Sequence, residues 1–142
     1  MLIFAAMKNR LITILATMVI LFCGFQANGQ TKDPAVTVYG NGTTVINTST
    51  LCADVEGFMG PTPVEIRIKK DTIIDITPLA NQETPAYFRE AVKVLKKWIG
   101  LTPAKGLEIE VDGVSGVTFS SEALIENVRT GLDKYATKSK GR

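Results

Sequence analysis

The sequence predicts a small α+β domain, in which helices pack against one face of a small antiparallel sheet. Two observations indicate this class. Short β-branched runs, bounded by turn residues, come first in the chain, and two amphipathic helical patterns follow them. No strand–helix–strand unit repeats along the sequence, which argues against a parallel sheet. The chain has 142 residues with 45 % hydrophobic content, enough to bury one core.

The first 29 residues have the pattern of an export signal. Lys8 and Arg10 precede an apolar run at residues 11–25, which is shorter than the roughly 20 residues of a membrane-spanning helix. Small residues favour cleavage after Gly29, and lipid attachment at Cys23 or an uncleaved anchor are the alternatives. The sequence therefore predicts an extracytoplasmic protein, periplasmic or secreted, or held at the membrane by its leader.

The charge and the rarer residues narrow the possible chemistry. Lys8 and Arg10 are the basic residues of the leader, which has no acidic ones, so 14 of the 16 basic residues remain beside 14 acidic ones. This neutral balance argues against a nucleic-acid partner. The chain has no histidine, which excludes Ser-His-Asp and Cys-His catalysis and makes a metal site unexpected. Cys52 stands alone outside the leader, so any redox chemistry is expected to come from a cofactor.

Two hairpins are predicted after the leader. Residues 30–52 form a short tether and a first hairpin, whose strands at 35–39 and 43–48 flank a Gly-Asn-Gly turn. Residues 64–69 and 72–79 form a second hairpin. Strict alternation in its returning strand puts two side chains on one face and three on the other: Ile74 and Ile76 against Ile73, Asp75 and Thr77.

The period then changes from two to 3.6. An apolar stripe predicts a helix from Pro85 that ends at Gly100, and the stripe consists of Phe88, Ala91, Val92, Leu95, Trp98 and Ile99. Residues 107–111 alternate and predict a short strand. A last helix is expected at about residues 120–135, and the basic tail at 136–142 is expected to fray.

The segment between that strand and the last helix has the composition of an anion site. In Asp112-Gly-Val-Ser-Gly-Val-Thr118, two glycines allow a bound group to approach the backbone closely. Thr118 is expected one or two residues before the helix, where free N–H groups and the helix dipole favour a phosphate. Ser115 and Ser120 would add hydroxyl donors. The same residues also suit an ordinary turn followed by a helix N-cap.

This run resembles the Asp-x-x-Ser/Thr-Gly-Ala-Thr flavinylation motif of the FMN-binding domain family, found in subunits of sodium-pumping and Rnf-type respiratory complexes. Gly57-Phe-Met-Gly60, the second hairpin and Glu83-Thr84-Pro85 precede the motif in the family's order. The resemblance covers most of residues 53–135. Val117 departs from the pattern, because the family usually has alanine there.

The resemblance implies a bound FMN and a partner enzyme. A flavin transferase would join FMN to Thr118 through a phosphoester, and non-covalent binding is the alternative. Around the phosphate would lie Asp112, Gly113, Ser115, Gly116, Val117 and Ser120. Glu83 and Thr84 would lie near the isoalloxazine ring, although Thr84-Pro85 also suits a plain helix start.

Three functions follow from these observations. The first is an exported electron carrier that receives electrons from a membrane donor and passes them to an extracytoplasmic partner, without being an enzyme itself. The second is an electron-entry module for a separate reductase. The third is a non-redox envelope module that keeps the fold and binds a protein or peptide. The first agrees best with the small size and the lack of catalytic side chains.

Overall fold

The structure, a computed structural model, describes residues 32–141, so the predicted leader and Cys23 lie outside the described residues. The chain forms a four-stranded antiparallel sheet of order β1-β2-β3-β4, with its helices later in sequence. The strands are β1 (Val36–Val38), β2 (Thr43–Asn47), β3 (Val64–Lys69) and β4 (Thr72–Pro78). The helices are α1 (Pro85–Val92), a 3-10 helix (Lys93–Lys97), α2 (Pro103–Glu108) and α3 (Thr118–Lys140). The predicted α+β class is confirmed.

Both predicted hairpins are present. In the first, Val36 lies opposite Ile46, and the turn closes when Gly42 donates its N–H to the Tyr39 carbonyl at 3.0 Å. Gly42 has φ +81°, a left-handed conformation that glycine adopts without steric cost. In the second hairpin, β3 pairs with β4 along its whole length. Within residues 32–141 no helix is both long and apolar enough to cross a membrane.

The two faces of β4 differ from the prediction. The register shifts between Arg67, which lies opposite Asp75, and Ile68, which lies opposite Ile73. The extra residue in β4, Ile74, is exposed, whereas Ile73 and Ile76 are both buried. The predicted grouping of Ile74 with Ile76 is therefore wrong, because a β-bulge breaks the strict alternation on which it depends.

The core lies between the sheet and α3. Leu124, Val128 and Leu132 are fully buried on one face of α3, as their spacing predicts. The helix can approach the sheet closely because residue 131 is glycine: a Cβ there would lie 2.6 Å from Cδ1 of Ile66.

A polar pair is buried within this interface. The Thr48 hydroxyl lies 2.5 Å from Oδ1 of Asn127 and accepts a bond from the Val64 N–H, while Nδ2 of Asn127 donates to the Ala123 carbonyl. Buried polar groups need such partners, because each lost one would cost about 1–3 kcal/mol.

The first helical stripe is correct in most positions and wrong at its end. Trp98 is fully buried and donates from Nε1 to the Gly106 carbonyl at 2.9 Å. Ile99, however, is exposed and Val94 is buried instead. The α-helix changes to a 3-10 helix after Val92, and the tighter winding rotates later side chains away from the predicted stripe.

The predicted strand at 107–111 does not form. Residues 107 and 108 end α2 and residues 109–111 form no regular element. Thr102 and Pro103 start that helix, with the Thr102 hydroxyl accepting from the Lys105 N–H at 3.3 Å. The edge of β4 is already bonded near Ile73, which pairs through its backbone with residues 100 and 101. The tail also differs from prediction, since α3 continues beyond Tyr135 to Lys140.

Candidate functional site

A cleft of about 630 Å³ opens where three segments of the chain meet. These are the loop at residues 57–60, the start of α1, and the N-terminus of α3. Its volume lies in the range of small-molecule sites, about 300–1,000 Å³. The residues that line it are Phe58, Glu83, Thr84, Tyr87, Gly116, Val117, Thr118, Phe119 and Ser120.

Six of the nine residues predicted to hold a cofactor line this cleft: Glu83, Thr84, Gly116, Val117, Thr118 and Ser120. Three do not. Asp112 and Ser115 are exposed on the preceding loop. Gly113 lies against α3, where a Cβ would meet Cγ of Glu122 at 3.1 Å. The structure therefore divides the predicted loop in two. Residues 112–115 lie outside the cleft lining, and residues 116–118 line the cleft.

The cleft wall at residues 116–120 is the start of α3. Val117 is the N-cap and makes no side-chain cap bond, and Thr118 is the first helical residue. Thr118 was expected before the helix, which begins two residues earlier than predicted. The Ser121 N–H donates to the Val117 carbonyl at 3.0 Å, so the amides of residues 118–120 precede the first intrahelical bond. Together with the dipole of a 23-residue helix, these amides favour an anion.

The turn that leads into α3 is held by Ser121, which sequence reasoning did not identify. Its hydroxyl accepts from the Val114 N–H at 2.7 Å and lies 3.0 Å from the Val117 carbonyl. Gly116 has φ +85°, which a residue with a side chain adopts only at a cost. Ser121 thus folds the loop back onto the helix and directs residues 116–118 to the cleft.

Thr118 lines the cleft. The residue is exposed, and Oγ1 lies 3.5 Å from the Val114 carbonyl, at the outer limit of a hydrogen bond. The neighbouring Val117 is half-buried and packs against the core. Its bulk, larger than the alanine of the resembling motif, therefore has apolar neighbours.

Glu83 also lines the cleft, but the residue is nearly buried, with 8 % of its surface exposed. Oε1 accepts from the Met59 N–H at 2.8 Å, and Oε2 accepts from the Ser120 hydroxyl at 2.7 Å. Ser120, predicted as a donor to the phosphate, thus donates to a protein carboxylate in the structure.

Three aromatic side chains project at the cleft with most of their surface exposed: Phe58 at 71 %, Tyr87 at 65 % and Phe119 at 68 %. Only Phe58 belongs to a segment that the sequence analysis singled out. Tyr87 and Phe119 lie off the apolar stripes of their helices, and an aromatic residue on a polar face is the feature that could have identified them. A flat apolar ring would cover such a surface.

These features define a class of protein: a small α+β domain whose cleft offers an anion site at a helix N-terminus beside exposed aromatic rings. A family model for the FMN-binding domain matches residues 57–133, and the chain belongs to that family. The matched residues include the whole cleft lining and most of α3. A search of curated proteins gave no match to the chain.

The cleft residues fit FMN. The amides at the start of α3 suit its phosphate, and Phe58, Tyr87 and Phe119 suit its planar ring system. Glu83 has both oxygens engaged by protein donors.

Proposed function

We propose that this protein holds one FMN in the cleft through a phosphoester at Thr118 and carries electrons between partners outside the cytoplasm. The observation that supports it most is the position of Thr118. An exposed threonine is the first residue of α3, beside helix amides that precede the first intrahelical bond and three exposed aromatic side chains.

The start of α3 suits a phosphodiester. Such a group keeps one negative charge, and a helix N-terminus stabilises a nearby anion by about 0.3–1 kcal/mol at the surface, more when partly buried. The Thr118 oxygen would be one of the ester oxygens, so the charge would remain within reach of the first-turn amides.

Attachment needs a good leaving group on phosphorus. In the proposed step Oγ1 of Thr118 loses its proton and bonds to the phosphorus, while the phosphoanhydride bond of a flavin dinucleotide breaks and releases a nucleoside monophosphate. No electrons are exchanged. A flavin transferase would supply the base that takes the proton and would bind the leaving group.

FMN supplies the redox chemistry when bound, since it accepts one or two electrons. The residues of the chain would bind and orient it: the start of α3 would hold the phosphate, and the aromatic side chains would cover the ring. A shallow cleft with exposed walls would leave part of the ring near the surface, which suits transfer to another protein. The export pattern of residues 1–29 supports a partner outside the cytoplasm.

Intact mass tests the covalent bond. The full chain, coexpressed with a flavin transferase, should gain the mass of one FMN less one water. Thr118→Ala should abolish the gain, while Thr118→Ser should retain it because the hydroxyl remains. Thr50→Ala is the matched control, since it removes a threonine at an exposed position outside both the motif and the cleft lining.

The other outcomes separate the alternatives. A yellow protein that releases FMN on denaturation would retain the binding site and overturn the phosphoester. A folded, colourless and unmodified wild type would overturn the proposal and favour a non-redox envelope module. Reduction of the bound flavin by a membrane fraction, followed by absorbance, would test the carrier role.

A further inference from the structure

From the contacts of Glu83 we infer that this residue is a positioning residue, which ties the 57–60 loop to the start of α3 and thereby sets the width of the cleft. The inference rests on the proposed binding of FMN. Each Glu83 carboxylate oxygen bonds to a different wall: Oε1 to the Met59 N–H at 2.8 Å and Oε2 to the Ser120 hydroxyl at 2.7 Å. The two bonds bridge segments separated by about sixty positions in the chain.

Among the hydrogen bonds of the described residues, the one from Met59 to Glu83 ties the tip of the 57–60 loop to a distant segment. Phe58 and Met59 are exposed at its tip. The loop closes on itself through the Gly57 N–H and the Gly60 carbonyl at 2.8 Å, and through a bridge between Glu56 and Pro61. Those contacts define its internal shape, whereas the Glu83 bond fixes it against the helix that carries Thr118.

Gly57 shows how closely the carboxylate approaches. A Cβ at this position would lie 2.6 Å from Oε1 of Glu83 and 3.0 Å from Cγ2 of Thr62. Any other residue at 57 would displace the carboxylate or the loop. The glycine is therefore part of the same arrangement, although it does not itself line the cleft.

A carboxylate suits this role because it accepts on both oxygens. Hydrogen bonds to a charged acceptor are stronger than neutral ones. Glutamine could keep the geometry, since its carbonyl would accept from Met59 and its amide would donate to the rotated Ser120 hydroxyl. Alanine would remove both bonds. The pair of variants thus separates a geometric role from a role of the charge against the ring.

The first measurement uses the full chain made without a flavin transferase, and follows hydrogen exchange at the Met59 amide by NMR. Glu83→Ala should speed exchange about tenfold to a hundredfold, as expected for loss of a charge-assisted bond. Glu83→Gln should stay within about threefold of wild type. Unchanged protection in Glu83→Ala would overturn the inference without involving flavin.

The second measurement is the Kd for free FMN from quenching of its fluorescence, in the same protein. Glu83→Ala and Gly57→Ala should weaken binding about tenfold, Ser120→Ala less, and Glu83→Gln least. Gly40→Ala is the matched glycine control, because a Cβ there meets nothing within 4 Å. Since Gly57 lies outside the cleft lining, weaker binding in Gly57→Ala reports the loop position.

The outcomes distinguish the positioning role of Glu83 from the proposed binding of FMN on which it rests. Equal Kd values for wild type and Glu83→Ala would overturn the positioning role and leave FMN binding intact. Weak binding in Glu83→Gln with wild-type Met59 exchange would also overturn it, since the charge and not the geometry would then matter. A wild type that neither binds nor attaches FMN would overturn the proposed function, whatever the exchange rates show.

Discussion

The first turn of α3 and its middle belong to one helix but have opposite surroundings. In the middle, Leu124, Val128 and Leu132 are fully buried, and the polar Asn127 has its hydrogen bonds supplied by Thr48 and the helix backbone. In the first turn, Thr118 and Phe119 are exposed, and the leading amides precede the first intrahelical bond. The middle of the helix is complementary to the rest of the protein, whereas the leading amides of the first turn have no acceptor within the described chain.

This difference shows how a small domain can carry a site without a deep cavity. The buried middle fixes the position of the helix, and Ser120 and Ser121 of the first turn are buried as well, so Thr118 and Phe119 need no packing of their own. These two side chains are available for a ligand. Substitutions should accordingly affect stability in the middle and ligand binding in the first turn.

The largest expected effect is the difference in the free energy of unfolding between two variants, Leu132→Ala and Phe119→Ala. Leu132 is fully buried, so its truncation should lower the free energy of unfolding by about 2–5 kcal/mol. Phe119 is exposed, and its truncation should change that free energy by less than about 0.5 kcal/mol while weakening FMN binding about threefold to tenfold. Urea unfolding and FMN titration of the full chain measure both. Equal losses of stability in the two variants would contradict the proposed difference between the middle of α3 and its first turn.

The next effect concerns the close approach of α3 to the sheet. Alanine normally favours a helix over glycine by about 1 kcal/mol, but at 131 its methyl group would meet Ile66. Overpacking costs about 1–3 kcal/mol, so Gly131→Ala should destabilise the protein by about 1 kcal/mol net. Gly141→Ala is the matched control, since its nearest contacts lie at an ordinary 3.8 Å. Stabilisation by Gly131→Ala would show that the contact relaxes.

Val117 lies at the boundary between the two regions. It packs against the core and also lines the cleft. Val117→Ala should lower the free energy of unfolding by about 1 kcal/mol through lost apolar contact, with the extent of FMN attachment unchanged. Val38→Ala, at an exposed position, is the stability control. A rise in attachment, measured by intact mass, would show that the valine hinders the phosphate.

The smallest effect lies at the other end of the helix. Lys134 pairs with Asp33 at 2.6 Å. The hydrogen bond from Lys134, then that from the Ala35 N–H, lowers the pKa of Asp33 below its ordinary 3.8. A lowered pKa in the folded state gives stability that is present above pH 3.8 and is lost as the pH falls through the folded value.

Lys134→Met should therefore reduce stability slightly at neutral pH, and the difference from wild type should disappear in acid. Urea midpoints measured from neutral pH downward would show this convergence. A difference that stays constant with pH would mean that the lysine acts through packing of its stem and not through the charge of Asp33.

Local patterns allowed much of the fold to be predicted. The Gly-Asn-Gly turn, the alternation of β3 and the helical spacing of Leu124, Val128 and Leu132 all involve neighbours in sequence. One failure occurred where another segment intervened. Residues 107–111 alternate as a strand would, yet the adjacent edge at Ile73 is bonded to residues 100 and 101.

The predictions for the site divide in the same way, into residues of a local motif and contacts between distant segments. Thr118 and Gly116 were predicted from a short contiguous motif, and the structure brings both to the cleft. Tyr87 and Phe119 were missed, because exposed aromatic residues on two different helices form one binding surface only when the two helices lie next to each other. The bond between Ser120 and Glu83 was also not predicted, since the two residues lie 37 positions apart in the chain.

The sequence by itself determined the class of fold, the family resemblance and the threonine at the start of α3, because each depends on the order and spacing of nearby residues. Only the tertiary structure decided which residues surround that threonine. The aromatic cleft and the two bonds of Glu83 arise where segments far apart in the chain are packed together, and the bulge that exposes Ile74 arises from the register in which β4 pairs with β3. Such contacts depend on the three-dimensional position of the whole chain, which no local pattern contains.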